Sequence, residues 1–147
     1  LEGGTGISTY AASSKLGIER RTIPGESEAE ITAEIQAILN RLNVADPSFQ
    51  ADLKVTCVRD AFEVSQDAKI VQCTAQATEA VLGKSPEFFG DTPWMDSALL
   101  ANAGVETVVI GPSGTGAHAD VEWVDLDSVA ELAKILSETA KSYCGIS

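Results

Sequence analysis

The chain has 147 residues, 44% of them apolar, enough to bury a core and suited to one medium domain or two small ones. Ten Lys plus Arg against twenty-two Asp plus Glu give a net charge of −12 with no basic stripe beyond Arg20-Arg21, so no nucleic-acid partner is expected. Apolar runs are too short for a membrane span, no signal peptide opens the chain, and three widely spaced cysteines suit a reducing, cytoplasmic setting.

Leu1 stands where Met would be expected, and Gly3-Gly4-Thr5-Gly6 follows at once, which reads as a chain beginning inside a longer protein. Lys15 to Ile23 has the pattern of a half-exposed strand, ended by Pro24-Gly25. Ser27 and Glu30 make a capping box for a helix whose stripe is Ile31, Ile35, Ile38, Leu39 and Leu42. Asp46-Pro47 breaks it, and Leu53, Val55 and Cys57 alternate with polar residues across another expected strand. With the early Gly-rich hairpin, this resembles half of a split β-α-β sandwich.

A domain boundary is expected around residues 65–68. Beyond it, Asp67 caps a helix through Ile70, Val71, Ala77, Thr78, Val81 and Leu82, stopped by Gly83. A small-residue helix runs from about Met95 to Ala103. Thr107-Val108-Val109-Ile110 has the form of a strand buried on both faces. The Gly-rich segment from Gly111 to His118 follows, then a last helix capped by Asp127 or Ser128 and running to about Tyr143. The expected class is α/β: an α+β segment over residues 1–65 and an α/β segment over residues 66–147, with the Gly-rich loop at a strand's carboxyl end, where open sheets place ligands.

His118 is the single histidine, set among glycines and small residues that leave its imidazole accessible to a metal or a proton. The alternative is a surface or half-buried histidine satisfied by backbone, which is commoner for a histidine without context. A catalytic zinc takes three protein ligands, and Asp91, Asp96, Asp120 and Glu122 show no ligand spacing relative to His118, so the sequence contains no complete metal site. Gly111 to Gly116 is only superficially a phosphate loop, since it lacks the lysine of that motif and opens no helix. Arg20-Arg21 suits a substrate carboxylate or, more commonly, an ion-paired edge. Trp94 and Trp123 read as core anchors, the cysteines as small buried hydrophobes, and Asp96 as a helix cap that can also support a metal site.

Three stretches together resemble the zinc hydrolases that include acetylornithine deacetylase, succinyl-diaminopimelate desuccinylase, aminoacylase and carboxypeptidase G. Ser8-Thr9-Tyr10 with Ile18 through Glu26 is similar to the "STYP" turn and "ERRTLPGE" strand of the family's lid, or dimerisation, domain. Pro93 through Leu100 with Ala103-Gly104 resembles its "FWTDAALLAEAG" helix. Gly111-Pro112 through His118, with Glu122-Trp123-Val124, resembles its closing "GPGGxGAHxxDEWV" segment. Ala11, Met95 and Val121 depart from those patterns, at a proline, a threonine and an aspartate.

The resemblance implies an amidohydrolase or peptidase with two Zn2+ ions, replaceable by Co2+ or Mn2+, that acts on an N-acylated amino acid or a peptide. His118 is then a ligand of one metal; Arg21 holds a substrate-binding or structural position on the lid strand; Ser113 and Gly114 belong to the substrate-binding loop; Asp96 and Glu122 support the site. The family's other ligands and its glutamate base come from the portion before the lid, together with the first lid strand and helix, so no catalytic base is expected among these residues. Homodimerisation through the lid is also implied. The competing expectation is an inactive dimerisation or interaction fragment.

Overall fold

A capping box decides where the first long helix starts. Ser27 holds extended backbone and accepts from the Glu30 amide, while the Glu30 carboxylate accepts from the Ser27 amide at 2.9 Å, so two of the donors orphaned at a helix start are satisfied reciprocally. A computed structural model describes residues 1–145 of the chain. In chain order its elements are β1 (Glu2–Gly3), β2 (Ser14–Lys15), α1 (Glu28–Ala45), α2 (Lys69–Leu82), α3 (Ser97–Asn102), β3 (Gly114–Thr115), β4 (Trp123–Val124) and α4 (Leu126–Cys144). The class is mixed α and β, with helices dominant and two small antiparallel ladders. No helix among the described residues is long and apolar enough to cross a membrane.

Backbone contacts divide the chain into two units, Leu1–Ala51 and Asp52–Ser147. In the first, β1 pairs with β2 in the register Glu2 to Lys15 and Gly3 to Ser14. Helix α1 ends at Asp46, whose amide donates to the Leu42 carbonyl and whose carboxylate accepts from the Ser48 amide at 2.9 Å in the turn that follows. Its apolar stripe is incompletely covered within the unit: Ile31, Ile35 and Leu39 are half-buried, whereas Ile38 and Leu42 are exposed.

In the second unit, α2 packs against α4. The buried side chains at this centre are small or β-branched: Val71, Cys73, Thr74, Ala77 and Thr78 from α2, Ile135 and Thr139 from α4. Lys69 Nζ donates to the Tyr143 carbonyl at 2.8 Å, neutralising an otherwise unsatisfied acceptor in the last turn of α4. Gly83 and Gly145 close the two helices in the left-handed conformation. Around α3, Asp60 receives the Trp94 indole on its carbonyl at 3.2 Å and the Asn102 amide on its carboxylate at 2.8 Å.

Several sequence expectations are corrected. Beyond β2, the segments 16–23, 53–57 and 107–110 join no ladder among the described residues. A strand exists through its neighbour's hydrogen bonds, so a pattern can prescribe one only where a partner is present. Helix α2 is capped at Ala68 with no side-chain bond, not by Asp67, because Ser65 organises the preceding turn through its hydroxyl and carbonyl. The cap of α4 is Asp125, whose carboxylate accepts from the Asp127 amide, ahead of both expected caps. Trp94 and Trp123 are exposed at 37% and 54%, so neither is a core anchor. Cys73 alone of the three thiols is buried; Cys57 and Cys144 are exposed.

Candidate functional site

The Gly-rich segment builds a tight hairpin. Strands β3 and β4 pair in the register Gly114 to Val124 and Thr115 to Trp123, and the Ala119 amide donates to the Gly116 carbonyl at 2.8 Å across the turn between them. Two glycines are required by geometry rather than by loop composition. A Cβ on Gly114 would stand 2.5 Å from the Trp123 carbonyl oxygen, and one on Gly116, at φ 81°, would run into the Val121 carbonyl.

His118 sits on this turn with φ 62°, and it is the one non-glycine residue at positive φ among those described. Left-handed backbone costs a side-chain-bearing residue energy and persists where its surroundings over-determine it. The imidazole is exposed. The chain therefore presents its single histidine to solvent from a strained position on a backbone-closed loop.

The base of the hairpin is joined to the start of α4. Asp125 donates its amide to the Ser113 carbonyl at 2.9 Å. The Ser113 amide donates to Ser128 Oγ at 2.9 Å, and the Ser128 hydroxyl donates to the Asp125 carbonyl at 2.7 Å. Ser128 thus bridges the strand before the turn and the helix after it.

Ser113, Gly114, His118 and Glu122 all ride on this one hairpin, with Glu122 exposed beside Trp123. Asp96 lies on another element, at the cap position of α3; its backbone is already helical and its side chain makes no cap bond. Arg21 belongs to the first unit, where its Nε donates to Glu19 Oε1 at 2.7 Å and both side chains are largely exposed. Arg20 forks between Glu26 and Glu34. Its pKa is raised above the ordinary guanidinium value by the bonds to those two carboxylates, while Glu26 is held below the usual carboxylate range by the Ile23 amide and then by Arg20.

A zinc site needs three or more donors brought together. Among the described residues no group of three or more His, Cys, Asp or Glu side chains is placed to hold a metal ion. The donors of this chain therefore do not fit a whole zinc site, and His118 is at most one contributor to one. Sequence reasoning found His118 and the loop but missed the bridging role of Ser128. Its only signal was a position near a helix start, and its partner lies fifteen residues earlier.

The chain is similar to an acetylornithine deacetylase of Myxococcus xanthus, at 25% identity over 148 aligned positions that take in 99% of this chain and 37% of that protein. It thus spans well under half the length of this curated relative. No solved structure matches it significantly. The sequence pattern of the Peptidase family M20/M25/M40 matches residues 2–142, nearly the whole chain, and the chain belongs to that family.

Proposed function

We propose that this chain forms the C-terminal part of a zinc-dependent amidohydrolase or peptidase, one that cleaves the amide bond of a small N-acylated amino acid or a peptide. The observation that carries the reading is family membership across residues 2–142, and the similarity to an acetylornithine deacetylase supports the N-acyl substrate class. Residues 1–65 correspond to part of the lid, through which the protein forms a homodimer, and residues 66–147 to the end of the catalytic domain. Three free thiols support a reducing, cytoplasmic setting.

His118 is the residue through which this chain contributes to a metal centre; Zn2+ is the expected ion, with Co2+ or Mn2+ as substitutes. Its exposure and left-handed backbone on a closed hairpin support that role. Arg21, Ser113 and Gly114 serve the substrate, the guanidinium by matching a carboxylate and the glycine by allowing close approach. Asp96 and Glu122 support the site.

Metal analysis and amide hydrolysis measured on the 147-residue chain and on its full-length parent test the proposal. The parent should hold zinc and turn over N-acyl amino acids, and His118→Ala should weaken its zinc affinity by at least about tenfold. A parent whose zinc affinity survives that substitution would refute the ligand assignment. The second reading, an inactive dimerisation or interaction fragment, draws on the missing donor cluster. Stoichiometric zinc with turnover in the 147-residue chain alone would eliminate it.

A further inference from the structure

The left-handed backbone of His118 needs a cause: histidine adopts it more readily than most residues, yet its Cβ still carries the steric cost of that conformation. Two features of the hairpin supply one. At the turn, Gly116 lets the chain pass so close to the Val121 carbonyl that a side chain there has no room, which fixes the path into His118. At the base, Ser128 Oγ accepts from the Ser113 amide and donates to the Asp125 carbonyl, so the hairpin leaves the first turn of α4 in one orientation. Both positions are half-buried, whereas the turn from Ala117 to Val121 is exposed.

We propose that Ser128 and Gly116 are positioning residues for His118, one aiming the hairpin from α4 and the other locking the turn. The inference rests on His118 being a functional group, but it concerns backbone geometry and requires neither metal nor substrate. It also explains why a loop of exposed small residues can hold a strained histidine at a defined place. Ser113 acquires a second part: its amide is committed to Ser128, so what it offers a ligand is its hydroxyl.

The single histidine makes the test direct, since its Cα and ring resonances are unambiguous in the 147-residue chain without metal. Gly116→Ala and Ser128→Ala should each move the His118 Cα shift away from its left-handed value and displace the ring signals, with helix content unchanged by circular dichroism. Ser128→Thr, which keeps the hydroxyl, should restore both. Hydrogen exchange of the peptide 113–125, followed in the full-length parent, provides a second reading. Exchange should quicken about tenfold in Ser128→Ala and stay within about twofold in Ser128→Thr, with α2 unaffected.

Unchanged His118 resonances and exchange in both alanine variants would overturn the proposal. So would a loss of protection spread over α2 and α4, which would make Ser128 a general stability residue. Because no measurement involves zinc or hydrolysis, failure of the enzymatic reading and failure of this one are separable.

Discussion

At the scale of single residues, two side chains have energetic consequences that are simple to measure. Thr139 is 6% exposed between α2 and α4, and its hydroxyl has no hydrogen-bond partner among the described residues. Thr74 and Thr78, in comparable positions on α2, return theirs to the carbonyls of Ile70 and Thr74. A buried hydroxyl without a partner keeps its desolvation cost, so Thr139→Val should stabilise the chain by about 1 kcal/mol, measured by urea denaturation. Tyr143 gives a pH signature. Its hydroxyl donates to Glu106 at 2.9 Å, and that bond, with desolvation and the Glu106 charge, raises the phenol above its ordinary value of 10.0. A raised folded pKa means the contribution is complete below the unfolded value and is lost as pH climbs through the folded one. Stability should therefore fall in strongly alkaline solution, and Tyr143→Phe should remove that part of the profile.

At the scale of elements, α1 depends on its start. The Ser27 hydroxyl and amide hold Glu30 below the ordinary carboxylate value of 4.5, and Glu26 is lowered by the Ile23 amide and by Arg20. Depressed carboxylates contribute above their unfolded pKa and lose that contribution as pH falls through the folded one. The helical signal of α1 should thus weaken as pH falls below the ordinary carboxylate value of 4.5, and Glu30→Gln should flatten the response. Ser27→Ala should cost about 1 kcal/mol at neutral pH, read from the thermal or urea midpoint. The β3–β4 hairpin depends on close approach instead. Its glycines sit where carbonyls crowd them, so it is specified by backbone packing that no propensity scale registers.

At the scale of the whole molecule, the leading quantity is apolar surface left in water. The accessible area is 11803 Å². A chain of this mass would expose roughly 7,000 to 9,000 Å², whether counted as one globule or as two separate ones. Ile18, Ile23, Ile38, Phe89, Leu99, Leu100 and Val109 are among the large side chains left exposed, several in segments whose pattern prescribes strands. So much apolar area left in water is more than a folded chain of this mass ordinarily exposes. The 147-residue chain should accordingly bind a hydrophobic dye such as ANS strongly, and a full-length parent should bind it several-fold less. Equal binding by both would contradict the reading of this chain as part of a larger fold.

What the sequence determined by itself was local. The Ser27–Glu30 box, the stripe of α1, the stop at Gly83 and the span of α4 all follow from signals within a turn or two of the residue concerned, and each was legible. His118 was legible as a candidate because it is the single histidine and lies in a loop of glycines. Tertiary structure alone decided the rest. Ladder formation over 16–23, 53–57 and 107–110 requires a neighbouring strand. The left-handed backbone of His118 and the bridge from Ser128 to Ser113 are contacts closed across a hairpin, between residues that carry no mark of each other in the chain.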